Sequence, residues 1–211
     1  MKVEIWSDIM CPFCYIGKRK FEKALSLFRE RNSVEIEWKS YQLMPDIETV
    51  ENTDIYTLLS EKKGISVEQA KSMNQQVTDV ASAVGLQFNM DKAIPANTLL
   101  AHRFLHYSKQ CGKQNEAEEL LFQAYFTDGK NVDSIEVLGA IGEDIGLDRD
   151  KIAAILASDQ FREDVQRDIY EAQQVGVRGV PFFVIDQKYA VSGAQEPEVF
   201  LNALQMAKAE N

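Results

Sequence analysis

The chain has 211 residues, 45% of them hydrophobic, with a formal net charge of −10. That length allows one large domain or two small ones around a sizeable core. The acidic balance argues against nucleic acid as a partner, since phosphate binding calls for an excess of Lys and Arg, and no apolar run approaches the ~20 residues of a membrane span.

The opening, MKVEIWSDIMC, carries an acid at Glu4 and no long apolar stretch. It does not read as a signal peptide, and a cytoplasmic location is expected. Val3–Trp6 alternates apolar and charged residues and predicts a strand. Phe21, Ala24, Leu25 and Phe28 recur at helical spacing and predict a helix after it. Between them lies SDIMCPFCYIGK, with Cys11 and Cys14 two residues apart where a strand hands over to a helix. Pro12 suits the first helical turn, where a missing N–H costs nothing. Cys11 then faces unpaired backbone N–H groups and the positive end of the helix dipole, which stabilise a thiolate. Cys14, one turn deeper, is placed to attack a mixed disulfide formed at Cys11.

Val34–Tyr41 alternates again and predicts a second strand, completing a right-handed βαβ unit. From about Asp54 to about Gln174 the period is helical throughout. Ser66 with Gln69 forms a capping box, and Met73, Val77, Val80 and Val84 extend an apolar stripe to Gly85. Thr98–Gln110 follows Pro95 and Asn97. Ser134 is expected to cap a helix over 135–145, and Asp148 or Asp150 one over 151–157. Phe161, Val165, Ile169 and Ala172 mark a long helix ending near Gly176. Phe182–Ile185 and Tyr189–Ser192 read as a hairpin, and Pro197 opens a last helix. The order is βαβ, an all-helical block, then ββα. It predicts one α/β domain from residues 1–50 and 160–211, with a helical domain, 51–159, inserted in it.

Three cysteines do not make a disulfide framework. A lone CxxC is a redox centre, half of a metal site, or a pair of structural thiols. Zinc would need two more ligands, and no second CxxC exists. His102 and His106, at i and i+4, could ligate a metal, but no neighbouring acid or cysteine completes a set, so no metal is expected. The strand–CPFC–helix context favours redox chemistry. Cys111, at a helix end, reads as an incidental thiol. Lys18, Arg19 and Lys20 read as a solvated helix face, Asp8 as a solvated loop residue or helix-cap contact, and Phe13 as exposed, because the dipeptide between the cysteines must leave Cys11 reachable.

The element order with CPFC at the first helix resembles the thioredoxin fold, and the helical insertion resembles its DsbA-like branch. WSDIMCPFCYIGK, NTLLAHRFLH and GVRGVPFFVID are similar to FrnE-like thiol oxidoreductases, relatives of 2-hydroxychromene-2-carboxylate isomerases and kappa-class glutathione transferases. The resemblance implies a cis Val180–Pro181 bond beside the cysteines, with Gly176 and Gly179 easing the approach. It makes Cys11, Cys14 and Pro181 the catalytic set. Pro12, Phe13 and Val180 would touch substrate, and Asn97 and His102 would line a cleft. The implied activity is disulfide exchange with protein or peptide thiols and disulfides. No bound cofactor is implied beyond the Cys11–Cys14 pair, with glutathione a candidate co-substrate. The alternatives are a glutathione-dependent isomerase or transferase, which in these relatives relies on serine near the first-cysteine position, and a peptide-binding chaperone without redox chemistry.

Two departures stand out. Many thioredoxin-fold enzymes carry a buried acid six residues before the first cysteine, where this chain has Ile5; Asp8 is the nearest substitute. DsbA has histidine between its cysteines, where this chain has Phe13. Phe13 supplies neither charge nor donor, which implies a couple less oxidising than the ~−120 mV of DsbA.

Overall fold

The computed structural model describes residues 1–49 and 54–210. Among these the sheet has four strands in the order β2-β1-β3-β4. They are β1 (Lys2–Ser7), β2 (Glu35–Ser40), β3 (Phe182–Ile185) and β4 (Tyr189–Ser192). β2 runs parallel to β1, with Ile5 opposite Trp38. β3 runs antiparallel to β1, with Ile5 opposite Phe183, and β4 antiparallel to β3. The strand alternation explains the layering. Val3, Ile5, Trp38, Phe183 and Ile185 point to one face, where α1 (Pro12–Leu27) and α9 (Pro197–Ala209) cover them with Phe21, Ala24, Phe200 and Leu204. Phe21, Phe183 and Phe200 meet with ring centroids 4.6 to 5.7 Å apart, within the range of favourable aromatic pairing. On the opposite face Trp6 and Val184 pack under Ala172 of α8 (Arg162–Val175) and under Val177.

The chain divides into two compact units. One comprises Met1–Leu43 with Glu163–Asn211, the other Met44–Arg162. The boundary expected between residues 50 and 51 lies outside the described residues. The second unit holds α2 (Ile55–Lys63), α3 (Val67–Ala83), α4 (Leu99–Gln110), α5 (Gln114–Phe126), α6 (Ile135–Asp144) and α7 (Arg149–Ala157). The capping box at Ser66 and Gln69 forms, Ser134 caps α6, and Asp148 rather than Asp150 caps α7. The Met73–Val84 stripe is a correction. Met73 and Val80 are more than 40% exposed, because α3 turns Ala70, Asn74 and Ala81 inward. The Phe161 start of α8 is a second correction. Phe161 stands outside the helix with φ at +64°, its ring beside His106 and Tyr107. Arg103, almost fully buried, donates to the carbonyls of Ile155, Leu156, Ser158 and Gln160, so it closes the end of α7.

Candidate active site

β1 ends at Ser7, and the turn that follows sets the first cysteine. The Cys11 N–H donates to the Asp8 carbonyl at 3.0 Å, and Cys11 becomes the N-cap of α1 with extended backbone angles. Pro12 takes the first helical position. The Cys14 N–H donates back to the Cys11 carbonyl at 3.0 Å. Cys11 Sγ therefore sits at the N-terminus of α1. Both cysteines are free thiols, within hydrogen-bonding reach of each other. Only 5% of Cys11 is accessible and none of Cys14. Phe13, between them, is 45% exposed, as expected, although Cys11 itself is nearly enclosed.

The two sulfurs differ in their surroundings. Burial pushes the Cys14 thiol well up, and the neighbouring Cys11 sulfur adds to the shift. The Asp8 backbone N–H and the Ser7 hydroxyl bond to the Cys14 sulfur and pull the other way. Ser7 is itself buried at the end of β1. The reading of Asp8 as a solvated loop residue fails. It is fully buried, and its carboxylate accepts the Leu43 N–H at 2.7 Å. The parallel pairing explains this. β1 and β2 leave the sheet side by side, with the Tyr41 N–H on the Ser7 carbonyl, so the segment after β2 covers the turn after β1.

The chain returns to this turn just before β3. The Val180–Pro181 bond is cis, and the Cys11 thiol lies 3.5 Å from the Val180 carbonyl. Pro181 is buried, and its carbonyl accepts the Gly193 N–H at 2.8 Å. Gly176, at φ +83°, ends α8 in the left-handed region and turns the chain toward this loop. Gly179 adopts no such angle and has open space where a Cβ would go. The basic run is a further correction. Lys18 is 3% exposed and pairs with Glu22, while Lys20 reaches the Ala194 carbonyl and the Glu196 carboxylate. Arg19 is the most open of the three, bonded to Glu22 and Tyr15.

Cys11, Pro12, Phe13, Cys14, Val180 and Pro181 thus come together on the first unit. Asn97 and His102 belong to the second. The Asn97 amide donates to the Pro45 and Ile47 carbonyls and accepts the Leu99 N–H, which gives it the role of a fastener for the 45–49 segment. His102 is 1% exposed within α4. Cys111 is exposed at the end of α4, beside Tyr107, whose hydroxyl is pushed up to about 12 by its own burial and by that thiol. Among the described residues no group of three His, Cys, Asp or Glu side chains gathers at a metal-sized site. Sequence reasoning missed Ser7, which no motif marks.

A family model for the DSBA-like thioredoxin domain matches residues 2–205. The chain belongs to that family. Among solved structures, a probable DsbA oxidoreductase, SCO1869 of Streptomyces coelicolor, superposes with a TM-score of 0.93 at 38% identity, covering 100% of this chain and 91% of that one. The uncharacterized protein YwbO of Bacillus subtilis is 27% identical over 206 residues, 96% of this chain and 94% of that protein. The cytosolic disulfide reductase DsbM of Pseudomonas aeruginosa, solved with GSH, shares the fold at 13% identity, with a TM-score of 0.67 and 99% and 100% coverage. No helix of the described residues is long and apolar enough to cross a membrane.

Proposed function

We propose that the chain is a thiol–disulfide oxidoreductase of the FrnE-like branch, acting in the cytoplasm on protein or peptide disulfides. The observation that carries this reading is the Cys11 thiol at the mouth of α1, bonded to Cys14 behind it and to the Val180 carbonyl in front. The Cys11 thiolate attacks a substrate disulfide, forming a Cys11–substrate disulfide and releasing one substrate thiolate. Cys14, after losing its proton, attacks Cys11 Sγ and releases the second substrate thiolate. Two electrons pass to the substrate, and the Cys11–Cys14 disulfide remains. A low-molecular-weight thiol such as glutathione, or a dithiol protein, returns the pair to the reduced form. With an oxidised pair the same steps run backwards. Val180 presents a backbone carbonyl beside the sulfur, where an extended peptide can add as a strand. Phe13 offers that peptide an apolar contact.

The test is insulin reduction with purified full chain. Cys11→Ser is expected to abolish turnover. Cys14→Ser is expected to form mixed disulfides that persist on non-reducing gels. Full activity in Cys11→Ser would overturn the reading. Two retained sulfurs favour exchange over glutathione addition. Turnover of a glutathione-dependent isomerisation that survives Cys14→Ser would select that alternative, and suppression of client aggregation that survives loss of both thiols would select the chaperone.

A further inference from the structure

Gly17 stands one turn beyond Cys14, inside α1, where helix propensity favours alanine. It is buried, and a Cβ built on it would lie 2.9 Å from Pro181 Cγ, 3.5 Å from Ala194 Cβ and 3.6 Å from Ala194 Cα. The proline carbon belongs to a ring closed on its own backbone nitrogen, so it cannot swing aside as a lysine tip would. The loop behind the proline is held as well. The Gly193 N–H donates to the Pro181 carbonyl, and Lys20 of α1 donates to the Ala194 carbonyl at 3.3 Å and pairs with Glu196 at 2.5 Å. Helix α1 therefore carries the cysteines at its start, a bare backbone patch against Pro181 one turn later, and a lysine tether to the loop beyond that.

We infer that Gly17 is a positioning residue: its missing side chain sets how closely Pro181 seats on α1, and hence where the Val180 carbonyl stands against Cys11. This rests on the oxidoreductase reading above. A methyl at 17 needs room beside Pro181 Cγ beyond what a change of ring pucker gives, and movement of the Pro181 loop away from α1 provides it. The Val180 carbonyl moves with that loop, while the Cys11 sulfur stays with the helix. Substrates that lie along Val180 lose alignment; a small alkylating agent that needs only the sulfur does not.

The experiment compares Gly17→Ala with the wild-type full chain in two reactions of the reduced protein: exchange with a disulfide-bonded peptide, and alkylation of Cys11 by iodoacetamide followed by mass spectrometry. Displacement by a few tenths of an ångström is expected to lower the peptide reaction about three- to tenfold, with alkylation changed by less than about twofold. Lys20→Met, which keeps Gly17 but cuts the tether, is expected to move the same ratio in the same direction by a smaller factor. If Gly17→Ala fails to fold, Lys20→Met decides alone. An unchanged ratio of the two rates overturns the inference, whether both rates stay level or both fall with the folded fraction. Wild type with no peptide exchange at all would instead overturn the functional reading beneath it.

Discussion

The two cysteines share one motif but not one environment. Cys14 is enclosed, and its thiol is pushed up by that enclosure and by the sulfur beside it. The reacting form in the resolving step is the thiolate. Resolution should therefore quicken with rising pH, about tenfold per unit while Cys14 is mainly protonated. The Ser7 hydroxyl stabilises the charged sulfur. Removing it in Ser7→Ala should raise the Cys14 pKa further and slow resolution at pH 7 roughly four- to fifteenfold, since a hydrogen bond to a charged group is worth about 1.5–3 kcal/mol and the greater nucleophilicity of the more basic thiolate returns about half of it. Stopped-flow measurement of mixed-disulfide decay across pH would show the midpoint displaced upward. An unmoved midpoint would deny Ser7 this part. Such a role was not legible beforehand. CPFC announces itself by spacing, whereas Ser7 gains meaning only when the strand end is folded over the second sulfur. Asp8 has the same history: the Leu43 N–H that its carboxylate accepts is brought near only by the sheet.

Elements were read best where the signal is local. The capping box of α3, the caps of α6 and α7, and the switch from period 2 to period 3.6 each arise within a few residues. The α3 stripe shows the limit. A 3.6-residue period reveals that apolar side chains share a face, but not that anything covers it. The charged half of the sheet face beneath α8 illustrates the same point from the polar side. Lys39, with its side chain 11% exposed, lies 2.8 Å from Glu171, 3.1 Å from Asp168 and 3.5 Å from Glu37. Burial works against its ammonium, but hydrogen bonds to Glu171 and Asp168 and the surrounding carboxylate charge outweigh it and raise its pKa. Lys39→Met should destabilise the chain by about 2 kcal/mol at pH 7, since it leaves the enclosed Asp168 carboxylate without its cation, and less than the ~3–5 kcal/mol of a fully orphaned buried charge because Asp168 keeps the Ser40 N–H and Glu37 keeps Lys2. The raised pKa fixes the sign. The Lys39 contribution is complete below the ordinary 10.5 and is lost only as pH rises through the higher folded value. Urea denaturation at pH 7 and above pH 10.5 should show the gap between wild type and variant closing only in the alkaline series.

At the scale of the molecule, the first unit is assembled from both ends of the chain. β1 is an inner strand, paired with β2 on one side and β3 on the other. Its N–H groups are committed on both edges, so the amides of Val3–Trp6 should be among the slowest to exchange in native-state hydrogen exchange and should open only with the whole unit. Rapid local exchange there would mean that β3 detaches on its own. This arrangement was visible in outline, because a helical block between two strand-bearing ends leaves few other ways to complete a sheet. The close packing at Gly17 was not, because nothing within α1 calls for a glycine. The split assembly also bears on synthesis. The sulfur of Cys11 and the carbonyl that faces it are 169 residues apart in sequence. At roughly 5–20 residues per second, a ribosome takes on the order of ten to thirty seconds to make the intervening chain. Through that interval the nascent polypeptide carries the dithiol without the Val180 carbonyl that later stands beside it.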